Sequence, residues 1–104
     1  MFTFIETKLF SRLVDDYLSA DEHRALQEAL LTDSEAGEVI PGTGGVRKLR
    51  WRAPGRGKRG GYRVIYFVRP SESEIWLLTM YPKNVTDNIP ANVLKKIRKE
   101  IENG

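Results

Sequence analysis

The sequence contains no cysteine and one histidine, His23. It can therefore form no disulfide or thiolate metal site, no multi-histidine metal centre and no cysteine–histidine nucleophile pair. It also lacks a glycine-rich phosphate loop, an apolar run of the roughly 20 residues that a membrane span needs, and the basic start of a secretory signal. We expect a cytoplasmic protein with no metal, no other cofactor and no membrane contact, and we interpret His23 as a surface residue.

A chain of 104 residues is long enough for one hydrophobic core and too short for two. We therefore predict a single domain over residues 1–104. Hydrophobic residues make up 40% of the sequence and charged residues 30%, which is typical of a folded globular protein and not of a disordered one.

The positive charge is concentrated in one segment. Between Glu38 and Glu72 there is no acidic residue, but there are nine basic ones: Arg47, Lys48, Arg50, Arg52, Arg56, Lys58, Arg59, Arg63 and Arg69. The rest of the chain, with all 14 acidic residues, is net negative. Cations without carboxylates among them repel one another unless solvent or a polyanion neutralises them. We favour nucleic acid as the partner of this segment over a merely solvated surface.

Two helices are predicted in the first third of the sequence. Residues 1–5 are apolar and aromatic, as in a short edge strand, and apolar residues then recur at helical spacing over residues 9–18. Ser19 and Glu22 have the spacing of a capping box, which predicts a second helix that runs to about Thr32. Residues 33–45 are rich in glycine and small polar residues and predict a loop. Each helix has one apolar stripe, so both should pack on one face of a sheet.

Three strands and a final helix are predicted in the remaining sequence. Residues 46–52 alternate, with Leu49 and Trp51 on one side and basic residues on the other. Residues 62–68 and 75–81 are strands of an antiparallel meander, and helical spacing returns over residues 89–101. We predict an α+β fold: an antiparallel β-sheet with two N-terminal helices packed on one face, a short C-terminal helix, and an open basic concavity on the other face.

Aromatic residues lie among the basic ones and could stack on the exposed bases of single-stranded RNA. We interpret Trp51 and Tyr66 as core residues, because they share the apolar pattern of their strands. Tyr62 and Tyr81, at strand ends, could belong to the core or to an RNA surface.

Three segments, in this order, resemble the HigB branch of the RelE toxin superfamily (RelE/ParE). They are GTGGVRKLRW, GKRGGYRVIYF and LLTMYPKN, the last followed by a short amphipathic helix. The similarity spans about residues 2–101. It implies a RelE-like fold and the toxin of a type II toxin–antitoxin system: a ribosome-dependent endoribonuclease, or mRNA interferase, that cuts translated mRNA without a metal ion and so inhibits translation and growth.

The resemblance also implies the partners. They are a cognate antitoxin, of the helix-turn-helix HigA-like kind, and the ribosome with mRNA in its A site. Operator DNA would be bound only through the antitoxin.

The resemblance assigns catalytic roles to Arg63, Lys48, Arg50, Tyr81 and Lys83. Arg63, in the GYR motif, would stabilise negative charge on the phosphate, and Lys48 or Tyr81 would transfer a proton. The RNA-binding residues implied in addition are Arg47, Arg56, Lys58, Arg59, Tyr62 and Asn84. The general acid and base stay open, because residues 89–91 replace the tyrosine that many RelE-type toxins carry near the chain end, and the histidines of other HigB toxins are absent.

Two alternatives fit the basic segment as well. One is a non-catalytic module that binds RNA or DNA, although no helix-turn-helix or RNA-recognition motif is visible. The other is a protein-interaction module whose basic surface binds an acidic partner.

Overall fold

In the computed structural model, which describes residues 1–52, 61–85 and 89–103, a five-stranded sheet carries helices on both faces. Along the chain the elements are β1 (Thr3–Glu6), α1 (Lys8–Tyr17), α2 (Ala20–Thr32), β2 (Glu38–Val39), β3 (Arg47–Arg52), β4 (Gly61–Arg69), β5 (Glu74–Pro82) and α3 (Ala91–Asn103). The predicted α+β fold is confirmed. Among the described residues, none of the helices is long and apolar enough to cross a membrane.

The strand order is β1-β5-β4-β3-β2. The strands from β2 to β5 are antiparallel, as predicted, but β1 pairs with β5 in parallel. The sheet is therefore mixed. β2 lies within the segment predicted to be a loop; it has only two residues, too few for a period-two pattern to be visible in the sequence.

The helices α1 and α2 begin where local capping predicts. The Thr7 hydroxyl accepts a hydrogen bond from the Phe10 amide at 3.0 Å. The predicted capping box is present: the Ser19 hydroxyl accepts from the Glu22 amide at 3.1 Å, and the Ser19 amide donates to the Glu22 carboxylate at 2.8 Å. Such caps stabilise a helix by about 1 kcal/mol each. Both helices then bury their apolar stripes against one face of the sheet.

His23 is half-buried, which corrects its interpretation as a surface residue. Its Nε2 lies 2.7 Å from Glu6 Oε2, and the Ser11 hydroxyl donates to Glu6 Oε1 at 2.6 Å. The Glu6 carboxylate thus connects α1 and α2 to the end of β1. The pairing joins residues 17 positions apart, so no local sequence pattern indicates it.

The other face of the sheet is partly covered by α3. Leu94 and the half-buried Ile97 of α3 pack with residues from β4 and β5 in a second hydrophobic cluster, whose buried members are Val46, Ile65, Phe67, Leu78 and Leu94. Fully burying an aliphatic side chain stabilises a fold by roughly 1.5–3 kcal/mol. We predicted a basic concavity that is open over this whole face. The face is open only beyond this cluster, towards the N-terminal end of β4.

A β-bulge in β5 determines which side chains reach that open part. The register between β4 and β5 shifts between Ile65 and Tyr66. Leu77 and Met80 belong to the cluster under α1 and α2, whereas Leu78 belongs to the cluster under α3. Strict alternation would place Tyr81 on the same face as Leu77. The extra residue reverses the alternation and turns Tyr81 to the α3 face.

Candidate active site

One row of side chains crosses the three central strands on the face that α3 partly covers. Arg50 of β3 is in register with Arg63 of β4, and Arg63 is in register with Tyr81 of β5. Residues opposite each other on antiparallel strands have Cα atoms about 4.5–5.5 Å apart and side chains on the same face. We call Arg50, Arg63 and Tyr81 the central row.

A second row lies towards the end of the sheet. Arg52 is in register with Gly61, and the Lys83 amide donates to the Gly61 carbonyl at 2.9 Å. A Cβ at Gly61 would lie 3.0 Å from Lys83 Cδ. Glycine at this position therefore lets the Lys83 side chain lie across β4, where a larger residue would push it away. We call Arg52, Gly61 and Lys83 the outer row.

The two rows surround an open cleft of about 430 Å³. Its walls include Arg50, Arg63 and the outer row, with Trp51 at the edge. On the other side of the central row, Lys48 and Tyr81 line a smaller cavity of about 80 Å³ under the start of α3. Four of the five residues predicted as catalytic thus lie on or beside the central row, and Lys83 lies in the outer row. Arg52 and Gly61 also line this site, although the sequence analysis did not name them as site residues.

Four basic residues in and beside the cleft have no carboxylate partner in the part of the chain that the structure describes. Within the described residues, no carboxylate forms an ion pair with Lys48, Arg50, Arg52 or Arg63. Like charges directly opposite each other on neighbouring strands are destabilising. An anion placed between Arg50 and Arg63 would remove this repulsion, so the arrangement favours binding of a phosphate.

Arg47, predicted to bind RNA, does not line the cleft. Its Nη1 donates to the Gly37 carbonyl at 2.7 Å, and its Nη2 lies 3.4 Å from the Glu35 carboxylate. Arg47 is also on the side of β3 opposite Lys48. The guanidinium holds the 33–39 loop and is not directed at the cleft. Arg69 is likewise paired, with Glu74 at 3.1 Å.

Tyr62 is buried, with 7% of its surface exposed, on the face covered by α1 and α2. Its hydroxyl donates to the Tyr17 carbonyl at 3.3 Å, and the two rings lie 5.3 Å apart. Little of the Tyr62 ring is therefore accessible for stacking on RNA. The sequence did contain the signal, since Tyr62 alternates in phase with the buried Val64 and Tyr66.

Tyr66 is fully buried in the core, and the half-buried Trp51 packs against the same cluster, in agreement with their interpretation as core residues. The Tyr66 hydroxyl donates to the Ser34 carbonyl at 2.8 Å and accepts from the Gly37 amide at 2.9 Å. Burial raises the pKa of the Tyr66 phenol, although the hydrogen bond from Gly37 acts in the opposite direction. The phenol serves to hold the loop before β3.

The loop that leads into β3 is also held from α3. The Arg98 guanidinium donates from Nε to the Thr43 carbonyl at 2.8 Å, and it pairs with Glu102. Gly44 has a φ of 79°, and a Cβ there would lie 2.5 Å from Arg98 Nε. The GTGG motif thus allows the loop to approach α3 closely, and Arg98 fixes the point where the chain turns towards Lys48.

Asn84 is exposed in the turn after β5, beside Lys83. The predicted RNA-binding residues Arg56, Lys58 and Arg59 lie outside the described residues. The described residues hold no group of three or more histidine and carboxylate side chains that could bind a metal ion.

Comparison with known proteins agrees with the fold. The protein-family model described as the RelE toxin of the RelE / RelB toxin-antitoxin system matches residues 4–102. The fold is similar to that of a double arginine-to-alanine mutant of E. coli toxin RelE in the free state, with a TM-score of 0.62 over 93% of this chain and 96% of that chain. At 13% sequence identity, this second similarity concerns the fold alone. Because the family model covers nearly the whole sequence, this chain belongs to the RelE family of toxins from toxin–antitoxin systems.

Proposed function

We propose that this toxin is an endoribonuclease that cuts mRNA in the ribosomal A site without a catalytic metal ion. The observation that carries the proposal is the central row, in which Arg50 and Arg63 lie opposite each other without a described carboxylate partner. The two guanidinium groups repel each other, and a phosphate bound between them would neutralise this repulsion and accept their hydrogen bonds. Tyr81 and Lys48 lie beside this phosphate position, and both carry exchangeable protons.

Arg63 is the best group to stabilise the reacting phosphate. It is half-buried at the middle of the row, flanked by Arg50 on β3 and Tyr81 on β5. A guanidinium offers several donors in a plane, and partial burial strengthens its attraction for an anion. In the proposed reaction the 2′-oxygen forms a bond to phosphorus while the bond from phosphorus to the 5′-oxygen breaks. Arg63 would stabilise the additional negative charge of the phosphorane.

Two proton transfers complete the reaction. The 2′-hydroxyl loses a proton as it attacks, and the leaving 5′-oxygen gains one, so that the products end in a 2′,3′-cyclic phosphate and a 5′-hydroxyl. Lys48 and Tyr81 line one cavity beside the central row. We assign the two transfers to this pair: the member that is deprotonated before the attack accepts the 2′-proton, and the other donates its proton to the 5′-oxygen. Lys83 and Arg52 bind the flanking backbone phosphates.

The distribution of charge favours the ribosome as the place of action. The exposed charged residues of α1 and α2 are four acidic and three basic ones: Asp15, Asp16, Asp21, Glu28, Lys8, Arg12 and Arg24. This surface is therefore close to neutral, and RNA would be attracted to the cations of the sheet face, so the field of the protein would orient it in a cavity lined with RNA. We accordingly propose a cytoplasmic location, where translating ribosomes are found.

The antitoxin would act at the same face. A cognate antitoxin must cover the central row or compete for its cations, and we propose a helix-turn-helix protein of the HigA-like kind. Operator DNA would be contacted through that antitoxin alone, because the cations of the toxin are then occupied.

Controlled expression in a bacterium tests the proposal. Wild type should arrest growth within minutes and produce new mRNA 5′ ends inside translated frames, and Arg63→Ala should lower the cutting rate at least about 100-fold. The matched control is Arg24→Ala, which removes an exposed arginine from α2 and should remain toxic. A toxic Arg63→Ala protein would refute the site, and wild type that is produced in soluble form without new mRNA ends would refute the activity.

A further inference from the structure

Thr7, the residue that caps α1, also contacts the β-bulge of β5. Its hydroxyl accepts from the Phe10 amide and donates to the Leu78 carbonyl at 2.7 Å. Its amide donates to the Leu77 carbonyl at 3.1 Å. The carbonyls of successive residues in a regular strand point to opposite edges of the strand. Two successive carbonyls that both bond to Thr7 therefore belong to the bulge itself.

Leu78 is the extra residue of this bulge. Tyr66 of β4 is in register with Leu77, and Ile65 is in register with Thr79, so the pairing skips Leu78. The extra residue of a bulge is left out of the ladder of hydrogen bonds. An acceptor that is removed from water without a donor destabilises the arrangement that contains it. The Thr7 hydroxyl supplies this donor from the end of β1.

The bulge decides on which face of the sheet Tyr81 lies. With the bulge, Tyr81 packs against the cluster under α3 and lines one cavity with Lys48. Strict alternation would turn Tyr81 to the face of Leu77, where α1 and α2 lie. Anything that stabilises the bulge therefore also directs Tyr81 towards the Arg50–Arg63 pair.

We infer that Thr7 is a positioning residue, whose hydroxyl holds Leu78 in the bulge and so keeps Tyr81 in the active site. The position of Tyr81 follows from the hydrogen bond and the register alone, whereas its effect on RNA cutting rests on the proposed function. Thr7 and Leu78 are 71 residues apart, so no local sequence pattern indicates this contact.

Substitutions at position 7 separate the two roles of the hydroxyl. Thr7→Ser keeps both hydrogen bonds. Thr7→Asp keeps the helix cap, because a carboxylate accepts from the Phe10 amide, but an ionised carboxylate has no proton to donate to the Leu78 carbonyl. The matched control is Ser19→Ala, which removes the cap of α2 and leaves the bulge unchanged.

NMR of the purified toxin without RNA tests the position of Tyr81. The measurement is the nuclear Overhauser effect between the Tyr81 ring and the methyl groups of Leu94, which line the same cavity. Wild type, Thr7→Ser and Ser19→Ala should show it, and Thr7→Asp should weaken it. A folded Thr7→Asp protein with the signal at wild-type strength would overturn the inference.

The rate of mRNA cutting in a reconstituted translation reaction gives the second measurement. Thr7→Asp should lower the maximal rate about tenfold, at the lower end of what an unsatisfied acceptor does to an equilibrium. The toxin concentration that gives the half-maximal rate should not change, because the cations of the cleft stay in place. Thr7→Ser and Ser19→Ala should cut at nearly the wild-type rate, and an equal loss in Ser19→Ala would overturn the inference.

A double-mutant cycle with Tyr81→Phe shows whether Thr7 acts through Tyr81. Thr7→Asp should slow the wild type but should not slow Tyr81→Phe any further. Effects that multiply would show that Thr7 acts elsewhere and would overturn the inference. If Tyr81→Phe itself cuts at the wild-type rate, the proton transfer that we propose for Tyr81 fails, and the NMR signal alone then decides whether Thr7 holds Tyr81 in place.

Discussion

Replacing Arg50 by glutamine should stabilise the fold while it weakens RNA cutting. Arg50 is exposed and lies in register with Arg63, and within the described residues neither has a carboxylate partner. Two unit charges about 6 Å apart repel each other by about 0.7 kcal/mol in water. Like-charged cross-strand pairs fall in the range of about 0.2–1 kcal/mol. We therefore expect Arg50→Gln to raise the free energy of unfolding by about 0.5 kcal/mol at low ionic strength.

Urea unfolding at two salt concentrations is the assay. The Debye length is about 30 Å at 0.01 M salt and about 3 Å at 1 M salt, so the gain should be present at the lower concentration and disappear at the higher one. The control is Arg24→Gln. Arg24 lies 3.9 Å from Asp21 on the acidic α2 surface, so its loss should lower stability slightly at low salt. Arg50→Gln would refute the reasoning if it lowered the free energy of unfolding at 0.01 M salt, or if its gain were the same at 1 M.

Two further predictions concern the loop that leads into β3. Arg98→Ala should lower the free energy of unfolding by about 2 kcal/mol, because it leaves the buried carbonyl of Thr43 without its charged donor. The control is Glu102→Gln, which removes only an exposed ion pair and should lower the free energy of unfolding by less than about 1 kcal/mol in the same urea titration. Equal effects of the two substitutions would contradict the role of the carbonyl. Burial raises the pKa of Tyr66 above its ordinary value of 10.0, so above about pH 10 the unfolded state loses this proton while the folded state keeps it. Stability should therefore be unaffected below about pH 10 and fall as the pH rises above it. Tyr66→Phe should be less stable at pH 7 but should lose less stability than wild type between pH 9 and pH 11; parallel pH profiles would contradict the assignment.

The elements of the fold could be predicted where the signals are local. The Ser19–Glu22 capping box and the helical spacing of apolar residues lie within one or two turns, and the strands show period-two patterns of their own. The covering of the second face by α3 was missed. The central strand contained the indication, because Ile65 and Phe67 are apolar on the side that α1 and α2 do not cover, and they needed a partner.

The candidate site could be predicted in part, because its cations are concentrated in one segment but their directions depend on tertiary structure. Lys48, Arg50 and Arg63 follow simple alternation, which places them on one face of neighbouring strands. Tyr81 reaches them only because of the bulge at Leu78, which depends on the pairing of β4 with β5. The contacts of Arg47 could not be predicted, because its partner Glu35 lies in a loop whose path the sequence pattern does not define.

The most direct test of the central claim is the chemistry of the cut ends in a reconstituted translation reaction. Wild-type toxin added to ribosomes with mRNA in the A site should produce fragments that end in a 2′,3′-cyclic phosphate and begin with a 5′-hydroxyl. Arg63→Ala should produce these fragments at least about 100-fold more slowly, and mRNA without ribosomes should remain intact. Fragments that carry a 3′-hydroxyl and a 5′-phosphate, or cutting at the wild-type rate by Arg63→Ala, would contradict the account.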